Sequence, residues 1–430
     1  MLALIGFTLM VMLMLVLMKE KMAPPLAFIL LPIIAAALAG FGAEEIAGFI
    51  STGMKTMMST AILFIFSISY FTMMSDARLF DPIIHFLIRR TGKSITTVLV
   101  AVLLTTFVAH LDGSGATTFL IVVPAFLPIC RKMGVRPKAL LAAMCGGYGV
   151  MNLVPWGGPT IRAASAANVE VGDLYHFMIP GVVCLVLIAI GIVLIVSKIE
   201  KKNGAGVSVA EHTEEEGQSE KKEVKKSIYF FNLALTLVML VLLFMDTPLP
   251  LYSIFMVAFA VGMIVNYPNA KMQNKKIKEY GTNAMVMTMT LFAVGVFMGV
   301  IKDSGMVEAM ANAIVAMLPA AIAPHMHWFM CLFAVPLLMV LGTDAFYYAL
   351  LPIIMGVVEP FGVTPETVAA AFLLTATLGT PVSPSVAAVY VGLGLADVSI
   401  GEHIKYSLRL VWPASIVVLI LATLVGVIRF

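Results

Sequence analysis

The sequence predicts an all-α polytopic membrane protein made of two inverted repeats, each with five transmembrane helices, a re-entrant hairpin and a broken helix. Three observations carry that expectation: the composition, an internal offset and the placement of the basic residues. Of the 430 residues, 61% are hydrophobic and only 12% are charged. A water-soluble chain of this length needs more charge to cover its surface, so lipid is the solvent for most of it. The mean hydropathy is +1.02, and apolar runs long enough to cross a bilayer recur from end to end. The four cysteines (Cys130, Cys145, Cys184 and Cys331) sit in apolar segments without a CxxC pair or a histidine at ligand spacing. They read as buried, inert thiols.

Full spans read as residues 2–18, 25–41, 58–75, 138–166 and 177–197, then 228–246, 250–266, 283–300, 366–392 and 406–428. The first of these follows Met1 with no basic stretch before it and no cleavage signature after it, and reads as a retained span. Two more apolar stretches, 94–131 and 327–355, are each interrupted at the middle by polar and glycine-rich residues. Residues 198–227 are charged and have little to bury, so they read as a disordered cytoplasmic tether. The chain therefore divides into a first repeat at 1–197, a linker at 198–227 and a second repeat at 228–430.

The halves are copies. DARLFD at 76–81 matches DSGMVE at 303–308, GVRP at 134–137 matches GVTP at 362–365, Pro124 matches Pro352, Gly53 matches Gly281, and Asp173 matches Glu402. The offset drifts by only two residues over more than a hundred positions, which is an internal repeat. If the two interrupted stretches enter and leave on one side, each copy has an odd number of spans and the second is upside down. That tracing puts all the Lys and Arg residues on one side except Lys55, Arg162, Lys302 and Arg429. The crowded side is then cytoplasmic, and both termini lie outside. The flanks of 94–131 are basic and those of 327–355 largely acidic, so one hairpin dips from inside and its counterpart from outside.

Irregular backbone at membrane depth survives only where it is buried in protein or lines a cavity. Four such segments are present: the tips HLDGSGATT (110–118) and LGTDAFYY (341–348), and the span breaks NLVPWGGPT (152–160) and GTPVSPS (379–385). Each starts a new half-helix whose free N–H groups favour an anion, and paired breaks in an inverted repeat point to a transporter's substrate site. Arg162, inside an apolar span, offers a planar fork for a carboxylate or else a structural ion pair. Asp112 and Asp344 read as ligands of a coupled cation, as proton carriers or as simple N-caps. Ser114, Thr117, Thr118, Asn152, Thr160, Thr343, Thr380, Ser383 and Ser385 supply uncharged donors and acceptors. Gly113, Gly115, Gly157 and Gly158 permit close backbone approach to a ligand or serve only the turns. His110 titrates with Asp112 or packs in its tip, and Tyr347 and Tyr348 close the pocket or pack.

HLDGSGATTFL (110–120), NLVPWGGPTIRAA (152–164) and GTPVSPSVAA (379–388) give the chain a resemblance to the citrate–metal–proton symporter family of secondary transporters, within the ion-transporter superfamily. The resemblance spans essentially the whole chain. It implies a homodimer in the cell membrane, with a mobile domain carrying the hairpins and broken helices against a scaffold. It also implies uptake of citrate as its complex with a divalent ion such as Mg or Ca, together with protons and without a resident cofactor. The tip departs from the family pattern at Ser114, where a second acidic residue is expected; this bears on the metal and on the carboxylate. The alternative is sodium- or proton-coupled transport of another di- or hydroxycarboxylate without metal. A channel lined by broken helices is a further possibility. Neither HExxH nor GxSxG is present, so an enzyme is not expected, nor is a nucleic-acid partner.

Overall fold

The computed structural model describes residues 1–19, 21–89, 94–206, 226–244, 249–317, 319 and 321–430. Much of the expected linker, residues 207–225, lies outside the described residues. The first half runs α1 (Leu2–Met18), α2 (Pro24–Leu38), α3 (Ala43–Asp76) and α4 (Asp81–Arg89), then α5 (Ile95–Ala109) and α6 (Gly115–Lys132) as the arms of a hairpin. A broken pair follows, α7 (Pro137–Met151) and α8 (Gly158–Ala167), and then α9 (Val171–Lys202). The second half runs α10 (Lys226–Phe244), α11 (Leu251–Asn266), α12 (Ala270–Asp303) and α13 (Met306–Met317). Its hairpin is built from α14 (Met326–Leu332), α15 (Ala334–Asp344) and α16 (Leu351–Val358), its broken pair is α17 (Pro365–Ala376) and α18 (Ala387–Ala396), and α19 (Ile400–Leu424) ends the series. Among the described residues there is no strand.

Local sequence explains the boundaries. Proline occupies the first turns of α2, α7, α8 and α17, where its missing N–H costs nothing. Asn269, Thr364 and Ser399 cap α12, α17 and α19 with side-chain acceptors. The duplication is written in the backbone as well. Left-handed residues fall in pairs, Arg78 with Gly305, Gly134 with Gly362, and Asn168 with Asp397, at the slowly drifting offset that the sequence shows. Helices α3 and α12 are each 34 residues long and match end to end, which places Gly53 opposite Tyr280. The expected pairing of Gly53 with Gly281 is therefore displaced by one residue.

The copies are inverted. A Cβ on Gly53 would enter the carbonyl of Gly295 and lie 2.9 Å from the amide of Gly299, while Asp76, at the other end of α3, meets Lys276 near the start of α12 at 2.8 Å. Equivalent helices thus cross antiparallel through a glycine contact that lets the backbones touch. In the same way Glu200 at the end of α9 accepts a hydrogen bond from Tyr406 near the start of α19 at 3.0 Å.

Two bodies result. In the scaffold, α2 packs on α12 as α11 packs on α3, and α1 packs on α2 as α10 packs on α11. In the second body α5 packs on α7 as α15 packs on α17, α7 on α9 as α17 on α19, and α6 on α18 as α16 on α8. Both interrupted stretches fold back on themselves, α5 against α6 and α14 against α16. Gly342, at φ 76 and ψ 166, breaks the second stretch at its tip.

One boundary differs from expectation. Helix α9 continues through Lys202, past the residue where the linker was expected to begin. Glu200 is 0% exposed, and Arg136 donates to it from its amide and its guanidinium, the closest contact being 2.5 Å. Ala205 is buried and packs close to Gly134. A buried carboxylate needs such a partner, and this one ties the base of the linker to the start of α7.

Candidate substrate site

The four irregular segments touch one another in the second body. At the first tip, Gly113 adopts a left-handed φ of 69 and the chain reverses over Asp112–Gly115. Asp112 Oδ1 accepts the amide of Ser114 at 2.8 Å. Ser114 is the N-cap of α6, accepting the Thr117 amide at 3.3 Å and the Thr117 hydroxyl at 2.9 Å. Capping therefore falls to Ser114, and Asp112 forms the turn before it. Thr118 donates to the Ser114 carbonyl at 2.8 Å and also meets His110 Nδ1 at 2.7 Å.

The first tip is pinned to the first break. His110 Nε2 lies 3.2 Å from Asn152 Oδ1, and Trp156 donates from Nε1 to the Leu111 carbonyl at 2.8 Å. Thr160 closes the break by donating to the Asn152 carbonyl at 3.0 Å. Gly157 is required there, because a Cβ would enter the Asn152 carbonyl. Gly115 faces the Tyr148 hydroxyl just as closely, with Ala388 of α18 at 3.0 Å, so the first tip also reaches the second break helix.

The second tip reaches across to the first repeat. Arg162 on α8 donates from Nε to Asp344 Oδ1 at 2.7 Å, with side-chain exposures of 11% and 22%. Gly158 leaves room for that guanidinium, since a Cβ would lie 2.8 Å from Arg162 Nη1. On its other side the tip meets the second break, where a Cβ on Gly342 would lie 3.4 Å from Ser385 Oγ. Ser383 and Ser385 share a 2.7 Å hydrogen bond. Arg162 and Asp344, expected separately as an anion holder and a cation ligand, face each other across the junction of the repeats.

The remaining hydrogen-bonding capacity separates these residues by task. The hydroxyl hydrogens of Thr118 and Thr160 are committed to backbone carbonyls, so both hold the irregular segments in shape. Buried Thr380 Oγ1, Tyr347 Oη and one side-chain amide atom of Asn152 have no hydrogen-bond partner among the described residues, and a buried polar group left unpaired is costly unless something occupies it. Tyr347 stands out within this group, because sequence reasoning left its role open between closure and packing. Gly113, Pro384, Ser385, Ala387 and Tyr390 are exposed, and Asp112, Ser114, Thr117, Thr343 and Asp344 are half-buried. The site therefore opens along the first tip and the second break. Among the described residues no three His, Cys, Asp or Glu side chains gather as a metal centre.

Comparison with known proteins agrees with this architecture. The chain matches the solved structure of the Alcanivorax borkumensis YdaH transporter, described as having an unusual topology, with a TM-score of 0.58 over 89% of this chain and 87% of that one at 17% identity. It is 33% identical over 433 residues to a citrate transporter of Bacillus subtilis, covering all of both chains. It is 32% identical over 435 residues to the Mg(2+)/citrate complex secondary transporter of the same organism, covering all of this chain and 99% of the other. The family model for CitMHS, described as citrate transporter, matches residues 1–379. With its whole length matched by such relatives and its irregular segments joined in one site, this multi-pass membrane protein belongs to the CitMHS family of citrate transporters.

Proposed function

We propose that this protein takes up citrate as a complex with a divalent ion of the Mg or Ca type, with protons, by elevator-type alternating access. The observation that carries the reading is the Arg162–Asp344 pair at the junction of the repeats. A bare polyanion arriving there would compete for Arg162 and strand Asp344, and a partly buried charge without a partner is costly. A metal–citrate complex avoids that cost. Its free carboxylate takes Arg162 in a forked contact, and the bound metal gives Asp344 a replacement cation. The metal is cargo on this reading and needs no resident cage.

The hydroxyls of Ser114, Thr380 and Tyr347 and the side-chain amide of Asn152, with the amides at the start of α8, serve the remaining citrate oxygens. Asp112 serves as a metal or proton carboxylate beside them. Thr117, Thr343, Ser383 and Ser385 complete the wall, and Gly157 and Gly158 let the backbone approach. The similarity to a Mg(2+)/citrate complex transporter supports the metal complex. The orientation that fits the basic residues sets the Asp76 end of α3 and the linker in the cytoplasm with both termini outside. The protein then works as a homodimer in the cell membrane, its substrate citrate and its solvent lipid.

Uptake of labelled citrate in cells, with and without Mg²⁺ or Ca²⁺ and with Na⁺ and external pH varied, tests the reading. Uptake that needs a divalent ion and rises with the inward proton gradient is expected. Metal-independent, sodium-driven uptake overturns it in favour of plain carboxylate–sodium transport.

A further inference from the structure

Most contacts inside each body come in pairs related by the repeat, those of α13 excepted, but contacts between the bodies do not. Helix α8 lies against α3, and α15 with the following turn at 345–350 lies against α1. Their counterparts would set α18 against α12 and the first hairpin against α10. Among the described residues, neither meeting reaches the same extent.

The breaks differ in the same sense. Trp156 of the first break stacks on Phe71 of α3, with ring centroids 5.1 Å apart, and meets Phe255 of α11 edge-on at 5.6 Å. Pro384 and Ser385 of the second break are exposed. Gly53 beside Gly299 and Asp76 beside Lys276 put the pseudo-two-fold axis near Ile62–Leu63 of α3. Phe71 lies beyond that point by roughly 13 Å at 1.5 Å per residue, toward the Asp76 end. The body holding the site is thus displaced toward that end of the scaffold.

Near the opposite end of α3, Asn168 and Ser165 from the end of α8 line a cavity of about 100 Å³ with Thr52, Thr56, Lys302 and Asp303. Ser165 is 3% exposed, and among the described residues its hydroxyl has no hydrogen-bond partner. Thr52 and Thr56 donate to carbonyls of α3 itself at 3.1 and 3.2 Å, and among the described residues no hydrogen bond crosses this seat, so little is lost when it separates. The repeat relation turns Asn168 into Asp397, Thr52 into Glu279 and Asp303 into Asp76. At that second seat Lys276 Nζ already lies 2.8 Å from Asp76 Oδ2 and 3.1 Å from Glu279 Oε2.

We propose that Asn168 and Asp397, the left-handed residues ending the two short break helices, are alternating latches for the moving body. The structure is the state open toward the Asp76 end, with α8 seated against α3. In the opposite state α8 leaves α3, and the end of α18 docks on α12 with Asp397 beside Lys276. The acid at Asp397 fits its seat only by exchange, Lys276 releasing the exposed carboxylate of Glu279, 53% exposed and one turn away on the same helix, and taking Asp397 in its place. Both are positioning residues. The proposal rests on the alternating-access reading above but not on the identity of the substrate.

The test uses the full-length protein in sealed vesicles of both orientations, with paired cysteines Asn168→Cys/Thr52→Cys or Asp397→Cys/Glu279→Cys joined as disulfides. The four native thiols are buried, so a third cysteine, Ala387→Cys at the exposed start of α18, reports access to a membrane-impermeant maleimide. With the first pair joined, labelling is expected only from the Asp76 side; with the second joined, only from the other side. Each bridge stops uptake and reduction restores it. Asp397→Asn alone is expected to lower the maximal rate several-fold and leave the KM unchanged. Labelling from the same side under both bridges, or a second pair that never joins in transporting protein, overturns the proposal. Failure of citrate uptake by the parent protein, with the labelling pattern intact, counts against the substrate assignment alone.

Discussion

The two hairpin tips solve one problem in different ways. The first is satisfied within its own repeat: Asp112 closes the turn, Ser114 caps α6, and His110 links Thr118 to Asn152 of the neighbouring break. The second has few bonds of its own. It turns on Gly342 and is held by an ion pair from Asp344 to Arg162 of the other repeat. A tip closed by its own bonds keeps its shape whether or not a ligand is present. A tip that packs on its neighbours but is tied to the other repeat by an exchangeable ion pair responds to whatever competes for that pair. On the function proposed above, the first tip is the fixed wall of the site and the second its sensing wall.

The largest expected effect breaks the sensing wall. Arg162→Gln should abolish citrate uptake and lower the melting temperature, since removing one partner of a buried pair costs about 3–5 kcal/mol, less here because Asp344 keeps some access to water. Arg162→Gln/Asp344→Asn should recover the melting temperature but not the uptake. Recovery of both would make the pair purely structural.

Next comes the fixed wall. Gly115→Ala forces a methyl onto the Tyr148 hydroxyl, and overpacking of this kind costs about 1–3 kcal/mol. Thermal unfolding should show that loss, and Tyr148→Phe in the same chain should relieve part of it. A smaller change is expected of Asp112→Asn, because the amide oxygen still accepts from Ser114. Stability should stay within about 0.5 kcal/mol of the parent, while the divalent-ion and pH dependence of uptake shift. Unchanged dependence on both would leave Asp112 as a turn residue only. The smallest effect belongs to Ser385→Ala at the exposed edge, where losing one neutral hydrogen bond of about 0.5–1.5 kcal/mol raises the KM by about two- to thirteenfold.

The repeat, the paired hairpins and the paired breaks were legible in the sequence because each leaves a local mark: an offset, a glycine, a proline inside an apolar run. Arg162 and Asp344 were also visible singly, since a charge inside an apolar segment is conspicuous. Their pairing was not, because they are 182 positions apart and nothing local registers a contact between inverted copies. Glu200 escaped for a related reason. It lies in a lysine-rich stretch that resembles solvated linker, and only the fold brings Arg136 to it. The division of Thr118 and Thr160 from Asn152 and Thr380 was likewise hidden, because residue type does not reveal which hydroxyl the backbone has already claimed.

The slow drift of the repeat offset has an evolutionary consequence. Adding a residue inside a packed helix turns every later side chain by about 100° and unseats the whole face. Insertions are therefore filtered out of α3 and α12, which remain equal in length. The register changes between Arg78 and Gly134, where the left-handed tip glycines Gly113 and Gly342 stand out of step with their flanks, and again between Gly134 and Asn168. Those intervals contain the hairpin and the break. After duplication, the two copies grew apart in length in the stretches that carry the tips and the breaks as well as in α9 and α19, of 32 and 25 residues, so an ancestor with two matching walls could become a pocket with two different ones.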